Sequence, residues 1–344
     1  MKKDFTNVLF AWEMESNLKS HFRNAFKKFK NIRLIFPGKF TEENILQLSK
    51  DAHIIIGWRI NKKVFQSAKN LKVFINPGTG VKHHINIFRE LNKTGDVILI
   101  NNHGHAYSTA QHTVSMLLSL MNKIIFHHEQ MTEGKWRTSD DKDIFSSSVR
   151  FKNRKIGLLG YGAINKFVHR FLSGFENEFH ILKNSWRKDD IKSAGAACRY
   201  TGSELNNFLK AIDILIIAVP HTDKTQDMIG ENELKLLGKN GIVVNVARGI
   251  IVNEKSLYFA LKNKIISGAA IDVWYNYSPE KDKNGREYPY KYPFHKLKNI
   301  LMSPHRAASP FDDIERWDGI IENVKRVSQG RNDLLDIVNI EKEY

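Results

Sequence analysis

The stretch KIGLLGYGAINKFVHRFL, residues 155–172, decides the fold. Its apolar opening run has the length of a β-strand and leads into the triplet GYG, after which apolar residues recur at helical spacing. Strand, glycine turn and helix, in that order, form the context of a dinucleotide-binding turn. Gly160 allows the tight turn, Gly162 lets a pyrophosphate approach the backbone, and a helix beginning near Ala163 directs free N–H groups toward it.

The turn departs from the G-x-G-x-x-G pattern at one position, because Asn165 stands where the third glycine is expected. That third position serves the packing of the helix on the strand rather than the phosphate, so we expect the phosphate cradle to be retained. A glycine turn between any strand and helix remains the alternative interpretation of this stretch alone.

Strands alternate with helices on both sides of the turn. Apolar runs predict strands at 7–12, 32–37, 52–58, 71–76, 96–101, 156–159, 180–183, 214–219, 242–246, 269–273 and 299–302. Strands that are apolar along most of their length indicate parallel sheets covered on both faces. The predicted fold class is therefore α/β, with two doubly wound parallel-sheet domains.

Further helices and loops are predicted outside this alternation of strands and helices. Residues 106–135 predict one long helix between the two α/β series, and residues 311–330 predict a final amphipathic helix. Polar and turn-forming residues at 138–153 and 278–292 predict loops. Thr41 is placed to cap a helix over 41–50.

Composition limits the class of protein. The chain has 344 residues, enough for two domains, a single cysteine, Cys198, and a formal net charge of +16. Neither a signal peptide nor a membrane span is evident, so a reducing cytoplasm is expected. Because the lysines are scattered along the chain, we interpret the charge as a solvated basic surface rather than a nucleic-acid interface, although it would attract anionic substrates.

Polar residues follow three of the predicted strands. Arg248 comes after IVVNVA, Asp272 lies in AAIDVW, and His305 follows NILMSP. The carboxyl ends of parallel strands share one edge of a sheet, so these residues are expected beside the glycine turn. An arginine suits a substrate carboxylate, and a histidine suits proton transfer to a forming alkoxide. A bound nicotinamide would carry the hydride.

Four motifs in this order resemble the D-isomer-specific 2-hydroxyacid dehydrogenases: GYGAIN (160–165), VNVARGIIVNEKSL (244–257), GAAIDVW (268–274) and NILMSPHRAAS (299–309). NPGTGV (76–81) is similar to the substrate loop of that family, and STAQHTVSMLLSL (108–120) to its interdomain helix. The resemblance implies a Rossmann cofactor domain, 108–306, inserted in a flavodoxin-like substrate domain made of 1–107 and 307–344, with a cleft that closes on the substrate. It also implies a homodimer.

The roles implied by the resemblance are specific. Arg248 would bind the substrate, His305 would be the acid/base, and Asp272 would hold the nicotinamide carboxamide. The predicted substrate-binding residues are Gly78, Thr79, Gly80 and, as an added anion contact or merely a solvated side chain, Arg59. The predicted cofactor-binding residues are Gly160, Gly162, Ala163, Ile164, Lys183, Asn184, Arg187, Val219, Pro220, Val246 and Asp272.

One catalytic position departs from the family. A glutamate that usually pairs with the histidine is replaced by Tyr277, which we include among the catalytic residues. A tyrosine can hydrogen-bond His305 but supplies no charge that favours the imidazolium. Glu280 is the alternative partner if the longer loop is shifted.

The cofactor preference also departs from the usual NAD pattern, because the tip after the second cofactor-domain strand reads KNSWR (183–187) without a carboxylate. Lys183 and Arg187 favour the 2′-phosphate of NADP over the ribose of NAD. Either cofactor remains open.

No metal site is predicted: NNHGH (101–105) with His112 lacks supporting ligands and is interpreted as a connecting loop. The predicted activity is hydride transfer between NAD(P) and a small 2-hydroxy or 2-oxo acid. The alternatives are a formate-like small-anion dehydrogenase and a catalytically silent NAD(P)-sensing protein.

Overall fold

The computed structural model describes residues 5–93, 95–136, 147–310 and 312–344. Backbone contacts divide the chain into a first unit, Met1–His105 with Phe311–Tyr344, and a second unit, Ala106–Pro310. Each unit is built on one sheet whose strand pairs are all parallel. The predicted fold class is confirmed, while the domain boundaries drawn from the sequence, after residues 107 and 306, stay a prediction.

The first unit begins with strands and helices in strict alternation. Its elements in chain order are β1 (Thr6–Phe10), α1 (Ser16–Phe26), β2 (Ile32–Ile35), α2 (Glu42–Ser49), β3 (Ile54–Ile56), α3 (Lys62–Ser67), β4 (Val73–Ile75), α4 (Lys82–Leu91) and β5 (Ile98–Ile100). The strand order is β2-β1-β3-β4-β5. Thr41 accepts a hydrogen bond from the backbone N–H of Asn44 at 3.3 Å, which confirms it as the cap of α2.

The second unit contains the longer sheet. Its elements are α5 (Ala106–Met121), α6 (Ile124–Thr132), β6 (Lys155–Leu159), α7 (Ala163–Leu172), β7 (Glu178–Leu182), α8 (Lys188–Ala194), β8 (Cys198–Tyr200), α9 (Leu205–Lys210), β9 (Ile214–Ile217), α10 (Glu231–Leu237), β10 (Ile242–Asn245), α11 (Glu254–Lys262), β11 (Gly268–Ile271) and β12 (Ile300–Met302). The strand order is β12-β11-β10-β9-β6-β7-β8. The chain then returns to the first unit with α12 (Asp318–Ser328).

Both faces of each sheet are covered, as the apolar strands require. In the first unit, Val8 and Phe10 pack on one face with residues of α1 and α12, whereas Leu9 packs on the other face with residues of α2 to α4. The two apolar clusters of the second unit likewise divide alternate residues of β6 and β9 between them. The strand order places β6 next to β9 and β7, so the turn after β6 lies centrally on the carboxyl edge.

The prediction of one long helix over residues 106–135 is wrong, because α5 ends at Met121 and α6 begins at Ile124. Lys123 between them has a φ of +56°, in the left-handed region that ends an α-helix. The Asn122 side chain donates to the carbonyl of Leu118 at 2.9 Å, and such local bonds favour helix ends over helix interiors.

Other boundaries were also misplaced. The final helix begins at Asp318, after a 3₁₀ turn at Glu315–Trp317, and not near residue 311, which lies outside the described residues. Sequence reasoning missed α8 and β8, since α8 is short and mostly polar and β8 has only three residues. Most of the loop predicted at 138–153 lies outside the described residues, whereas the loop at 278–292 is observed as largely exposed.

Candidate functional site

The turn between β6 and α7 depends on its two glycines for different reasons. Gly160 has a φ of +85°, and a Cβ added there would lie 2.7 Å from the carbonyl oxygen of Ala218. Gly162 is the N-cap of α7, and a Cβ added there would meet open space. The first glycine is therefore required by the fold, whereas the second leaves the approach to the backbone clear.

This turn fits the pyrophosphate of a dinucleotide. Helix α7 has ten residues and begins at Ala163, as the sequence predicts, followed by the half-buried Ile164. Its N-terminal N–H groups and dipole favour an anion, and the space over Gly162 is the cradle that a side chain would fill. The residues present are thus those that would hold the phosphates of NAD or NADP.

Asn165 takes over a structural role at the third glycine position. Its side chain is fully buried and its Nδ2 donates to the carbonyls of Gly160 at 2.7 Å and Leu159 at 3.2 Å. The amide therefore ties α7 to the end of β6 by hydrogen bonds. In the glycine form of the motif, close packing of the helix on the strand does this instead.

The tip after β7 carries a cluster of charges around Asp190. This buried carboxylate pairs with Lys166 at 2.8 Å, with Arg187 at 3.1 Å and with Lys183. Burial alone would raise the pKa of Asp190, but hydrogen bonds from the three cations hold it well below its ordinary value. Three cations around one carboxylate leave an excess of positive charge at this tip, beside the exposed Asn184.

Arg248 is presented by a locked turn after β10. The side chain of Asn245, 1% exposed, donates to the carbonyl of Arg248 at 2.9 Å and accepts from the N–H of Ala247 at 3.0 Å. A Cβ at Gly249 would lie 2.3 Å from the carbonyl oxygen of Trp274, so only glycine allows this close approach. Burial lowers the pKa of the half-buried Arg248, and the neighbouring Tyr277 opposes that shift.

Asp272, fully buried after β11, is the hub of the loop that carries His305. Its carboxylate accepts hydrogen bonds from Ser303 Oγ at 2.5 Å and from the N–H groups of Arg306 at 2.7 Å and Ala307 at 3.0 Å. His112 Nε2 lies 3.0 Å from Ser303 Oγ and 3.6 Å from Asp272 Oδ1. Burial alone would raise the pKa of Asp272, but these partners lower it, so the group is an anion that organises residues 303–307.

His305 follows β12 with a φ of +57°, and its N–H donates to the backbone carbonyl of Asp272 at 2.9 Å. Its ring meets that of Tyr277 edge-on, with 5.2 Å between the ring centroids. Desolvation by the surrounding protein lowers the pKa of His305, and the positive charge of Arg248 lowers it further against the opposing charge of Asp272. The imidazole is therefore neutral to a lower pH than an ordinary histidine.

Tyr277 lies beside both groups. Desolvation by the surrounding protein raises the pKa of its phenol, and its oxygen accepts a hydrogen bond from the N–H of Trp274 at 3.5 Å. Its contact with His305 is a ring contact, not the hydrogen bond considered from the sequence. The charge of Arg248 lowers the pKa of His305 and that of Asp272 raises it, while Glu280 as the alternative partner stays a prediction.

The remaining predicted cofactor residues follow two central strands of the same sheet. Val219, partly buried, and Pro220, exposed, come shortly after β9, and Val246, 5% exposed, comes directly after β10. The second unit therefore brings together, at strand ends of one parallel sheet, the glycine turn and the neighbours Arg248, Tyr277 and His305.

The loop at 77–81 in the first unit is held by three asparagine side chains. Asn76 donates to the carbonyls of Gly78 at 2.5 Å and Gly80 at 3.4 Å, Asn101 to that of Thr79 at 2.9 Å, and Asn102 to that of residue 77 at 3.3 Å. In a trans peptide the N–H points opposite to the C=O. Holding these carbonyls therefore aims the N–H groups of residues 78–81 to the other side, as an anion would need.

The other candidates in the first unit are Arg59 and the stretch 101–105. Arg59 is exposed and follows Trp58, whose ring lies 2.6 Å from the position of a Cβ at Gly78. In the stretch 101–105, His105 Nε2 lies 2.9 Å from Thr79 Oγ1, so this connecting loop also braces the loop at 77–81.

Sequence reasoning missed the supporting residues more often than the reactive ones. Asp190, Asn245, Ser303 and His112 each position a predicted site residue. Asn245 could have been identified from the sequence, since a polar amide ends an otherwise apolar strand. Across the described ranges, no helix is both long and apolar enough to cross a bilayer.

Comparison with known proteins shows the family of this chain. A family model described as the NAD-binding domain of D-isomer-specific 2-hydroxyacid dehydrogenases matches residues 114–307. D-3-phosphoglycerate dehydrogenase of Methanocaldococcus jannaschii is 28% identical over 311 residues, covering 88% of this chain and 55% of that protein. Glyoxylate reductase of Pyrococcus furiosus is 28% identical over 279 residues, covering 78% of this chain and 77% of that protein.

A crystal structure of a Pyrococcus horikoshii protein shares the fold, with a TM-score of 0.75 and 23% identity over 98% of this chain and 96% of that one. The chain spans about half the length of the phosphoglycerate dehydrogenases it matches. Since the family model covers more than half of the chain, the protein belongs to the D-isomer-specific 2-hydroxyacid dehydrogenase family, whose members carry out NAD(P)-dependent 2-hydroxyacid oxidoreduction.

Proposed function

We propose that this protein transfers hydride between a nicotinamide cofactor and a small 2-oxo or 2-hydroxy acid, with Arg248 and His305 as its catalytic residues. The observation that carries the proposal is that Arg248 and His305 follow β10 and β12 of one sheet. They lie close enough for the charge of Arg248 to lower the pKa of His305. Both strands belong to the sheet whose β6–α7 turn fits a dinucleotide pyrophosphate.

In the direction of reduction, the guanidinium of Arg248 binds the substrate carboxylate bidentately and polarises the adjacent carbonyl. His305 donates its proton to the carbonyl oxygen, and in oxidation the neutral ring takes the hydroxyl proton. The reduced nicotinamide, when bound, supplies the hydride that the carbonyl carbon gains. Asn245 and Asp272 act as positioning residues, since they fix the turns that present the guanidinium and the imidazole.

A panel of 2-oxo acids with NADH and NADPH tests this activity in the full chain. We expect His305→Ala and Arg248→Lys each to lower kcat/KM by about a hundredfold or more while cofactor binding persists. His295→Ala is the matched control, because this is an exposed histidine of the same unit that stacks on Tyr288. Tight cofactor binding without turnover on any acid would overturn the proposal in favour of a nucleotide sensor.

The loop at 78–81 and Arg59 are proposed as further anion contacts. The hydrogen bonds from asparagine side chains to the carbonyls of the loop support the anion contact, because they leave the N–H groups of the loop on the opposite side. We expect Arg59→Ala to raise KM about tenfold, equal to about 1.4 kcal/mol of binding, with kcat unchanged. Arg33→Ala, an exposed arginine on β2, is the control, and an unchanged KM in Arg59→Ala would remove this contact.

We also propose a preference for NADP. Asp190 is buried beneath three cations, so it is not free to accept a bond from a ribose 2′-hydroxyl, whereas the excess positive charge suits a 2′-phosphate. Fluorescence titration should show tighter NADPH than NADH binding, and Arg187→Ala should weaken NADPH selectively. The neighbouring exposed Lys188 supplies the control variant Lys188→Ala, and tighter NADH binding by the wild type would contradict the preference.

A homodimer is proposed from the surface of α6. None of the residues of this helix is buried in the isolated chain, and Ile124, Ile125 and Met131 are each at least 50% exposed. A second copy would cover this apolar surface. Light scattering should show a dimer that Ile125→Glu weakens. The control Ile314→Glu, which adds a charge at an exposed position of the first unit, should leave the dimer intact. A monomeric wild type would refute the homodimer.

A further inference from the structure

A cluster of metal-binding side chains lies in the second unit away from the strand ends described above. Glu178 and His180 are alternate residues of β7 and therefore project from the same face, and Cys198 of β8 is paired with His180 in the sheet register. One ligand atom from each of the three lies within 4.8 Å of those of the others. The cluster begins at the amino end of β7, whereas Lys183 and the proposed cofactor site lie beyond its carboxyl end.

His180 is the informative member of this cluster. The residue is 3% exposed, and among the described residues its Nε2 has no hydrogen-bond partner, although Glu178 Oε1 lies only 2.8 Å away. Its Nδ1 lies 3.0 Å from the hydroxyl of Tyr200, whose ring stacks on the imidazole with 5.8 Å between centroids. A hydrogen bond at Nδ1 that fixes the tautomer and leaves Nε2 for a cation is the arrangement of a metal-binding histidine.

The spacing of the ligand atoms is close to that of a tetrahedral site. Bond lengths of zinc to sulfur, nitrogen and oxygen place the ligand atoms of such a site about 3.3 to 3.6 Å apart. The separations in the structure lie on both sides of this range, at 2.8 Å from His180 Nε2 to Glu178 Oε1 and 3.9 Å from Cys198 Sγ to the same oxygen. Because Glu178 and Cys198 are exposed, their side chains have room to rotate toward a shared ion.

We propose that Glu178, His180 and Cys198 bind a borderline-soft divalent cation such as Zn²⁺, with solvent water as the fourth ligand. A thiolate and a carboxylate together balance the charge of the ion, and a mixed sulfur, nitrogen and oxygen set favours zinc over magnesium or calcium. The ion would join β7 to β8, the edge strand of the sheet.

Titration of the chelator-treated full chain with Co²⁺, followed by Zn²⁺, tests the site. Cobalt bound by a thiolate shows a ligand-to-metal absorption band in the near ultraviolet, and Cys198 is the only cysteine of the chain, so the band reports this site alone. We expect one equivalent of Co²⁺ to produce the band and one equivalent of Zn²⁺ to abolish it.

Three variants separate this site from the other histidines of the surface. Cys198→Ser should abolish the band, and Glu178→Gln should weaken Co²⁺ binding about tenfold or more, since even loss of an outer partner costs that much. Glu176→Gln, a nearby exposed glutamate paired with Lys152, should leave binding unchanged. The altered side chains are exposed, so the fold should persist, and unchanged far-ultraviolet circular dichroism with retained NADPH binding would verify it.

Two outcomes would overturn the proposal. Absence of the thiolate band in the wild-type chain would show that Glu178 and His180 form a simple ion pair. Equal Zn²⁺ affinity in the wild type, Cys198→Ser and Glu178→Gln would show that zinc binds elsewhere.

Discussion

Replacing Tyr277 by glutamate should raise the pKa of His305 and move the reduction to higher pH. In the structure desolvation and Arg248 lower this pKa, so the protonated acid is lost at a lower pH than for an ordinary histidine. The rings of Tyr277 and His305 are 5.2 Å apart. Two unit charges at that separation interact by about 3 kcal/mol at an effective dielectric constant of about 20, and by about 0.8 kcal/mol in water.

Tyr277 is 54% exposed, so an intermediate value applies. About 1.5 kcal/mol of attraction between the carboxylate and the imidazolium corresponds to a rise of about one unit in the pKa of His305. The pH at which kcat/KM for reduction falls to half should then rise by about one unit in Tyr277→Glu. NMR titration of the His305 ring in the free protein should show the same displacement, independently of the substrate.

Tyr277→Gln is the matched control, because it changes the size of the side chain in the same way without adding a charge. It should leave the pKa of His305 within about half a unit of the wild-type value. The reasoning is refuted if Tyr277→Glu titrates like the wild type, or if the glutamine variant shifts the pKa as far as the glutamate variant does.

Four further substitutions test the turn and the charge cluster. Gly160→Ala should lower the free energy of unfolding by at least about 1 kcal/mol, because this residue has a positive φ. Gly162→Ala should leave the free energy of unfolding unchanged and raise the NADPH dissociation constant about tenfold. If the two variants changed both properties equally, the separate roles of the two glycines would be contradicted. Asn165→Ala should cost about 2 kcal/mol and lower the melting temperature by about 5 °C in a thermal scan, because buried carbonyls lose their donor; an unchanged melting temperature would count against this role. Asp190→Asn should cost about 3 kcal/mol at pH 7. Because the folded-state pKa of Asp190 is depressed, this difference between wild type and variant in urea unfolding should shrink as the pH falls below about 4, and a pH-independent difference would refute it.

The sequence sufficed where a local rule or a sheet rule applies. The start of α7 at Ala163 and the positive φ of Gly160 follow from a strand, a glycine turn and an amphipathic run read in order. The proximity of Arg248 and His305 follows from a second rule, that parallel strands end at a common edge, although 57 residues separate the two positions in the chain.

The sequence did not suffice where a tertiary contact decides the role of a residue. In the sequence, the tip after β7 was considered only over residues 183–187. The burial of Asp190 beneath Lys166 depends on how α7 and α8 pack. The cluster of Glu178 with Cys198 was missed because 20 residues separate them, and only the pairing of β7 with the short strand β8 brings them together.

The discontinuous first unit has a consequence for synthesis on the ribosome. Its core includes Ile320 and Val324 of α12, which pack with Val8 and Phe10 of β1. These partners emerge only after the whole of Ala106–Pro310 has been translated. The second unit can thus acquire its native core while the nascent β1 still lacks the helix α12 that packs on it. During that interval the apolar surface of the amino-terminal segment is the part of the chain that needs chaperone protection.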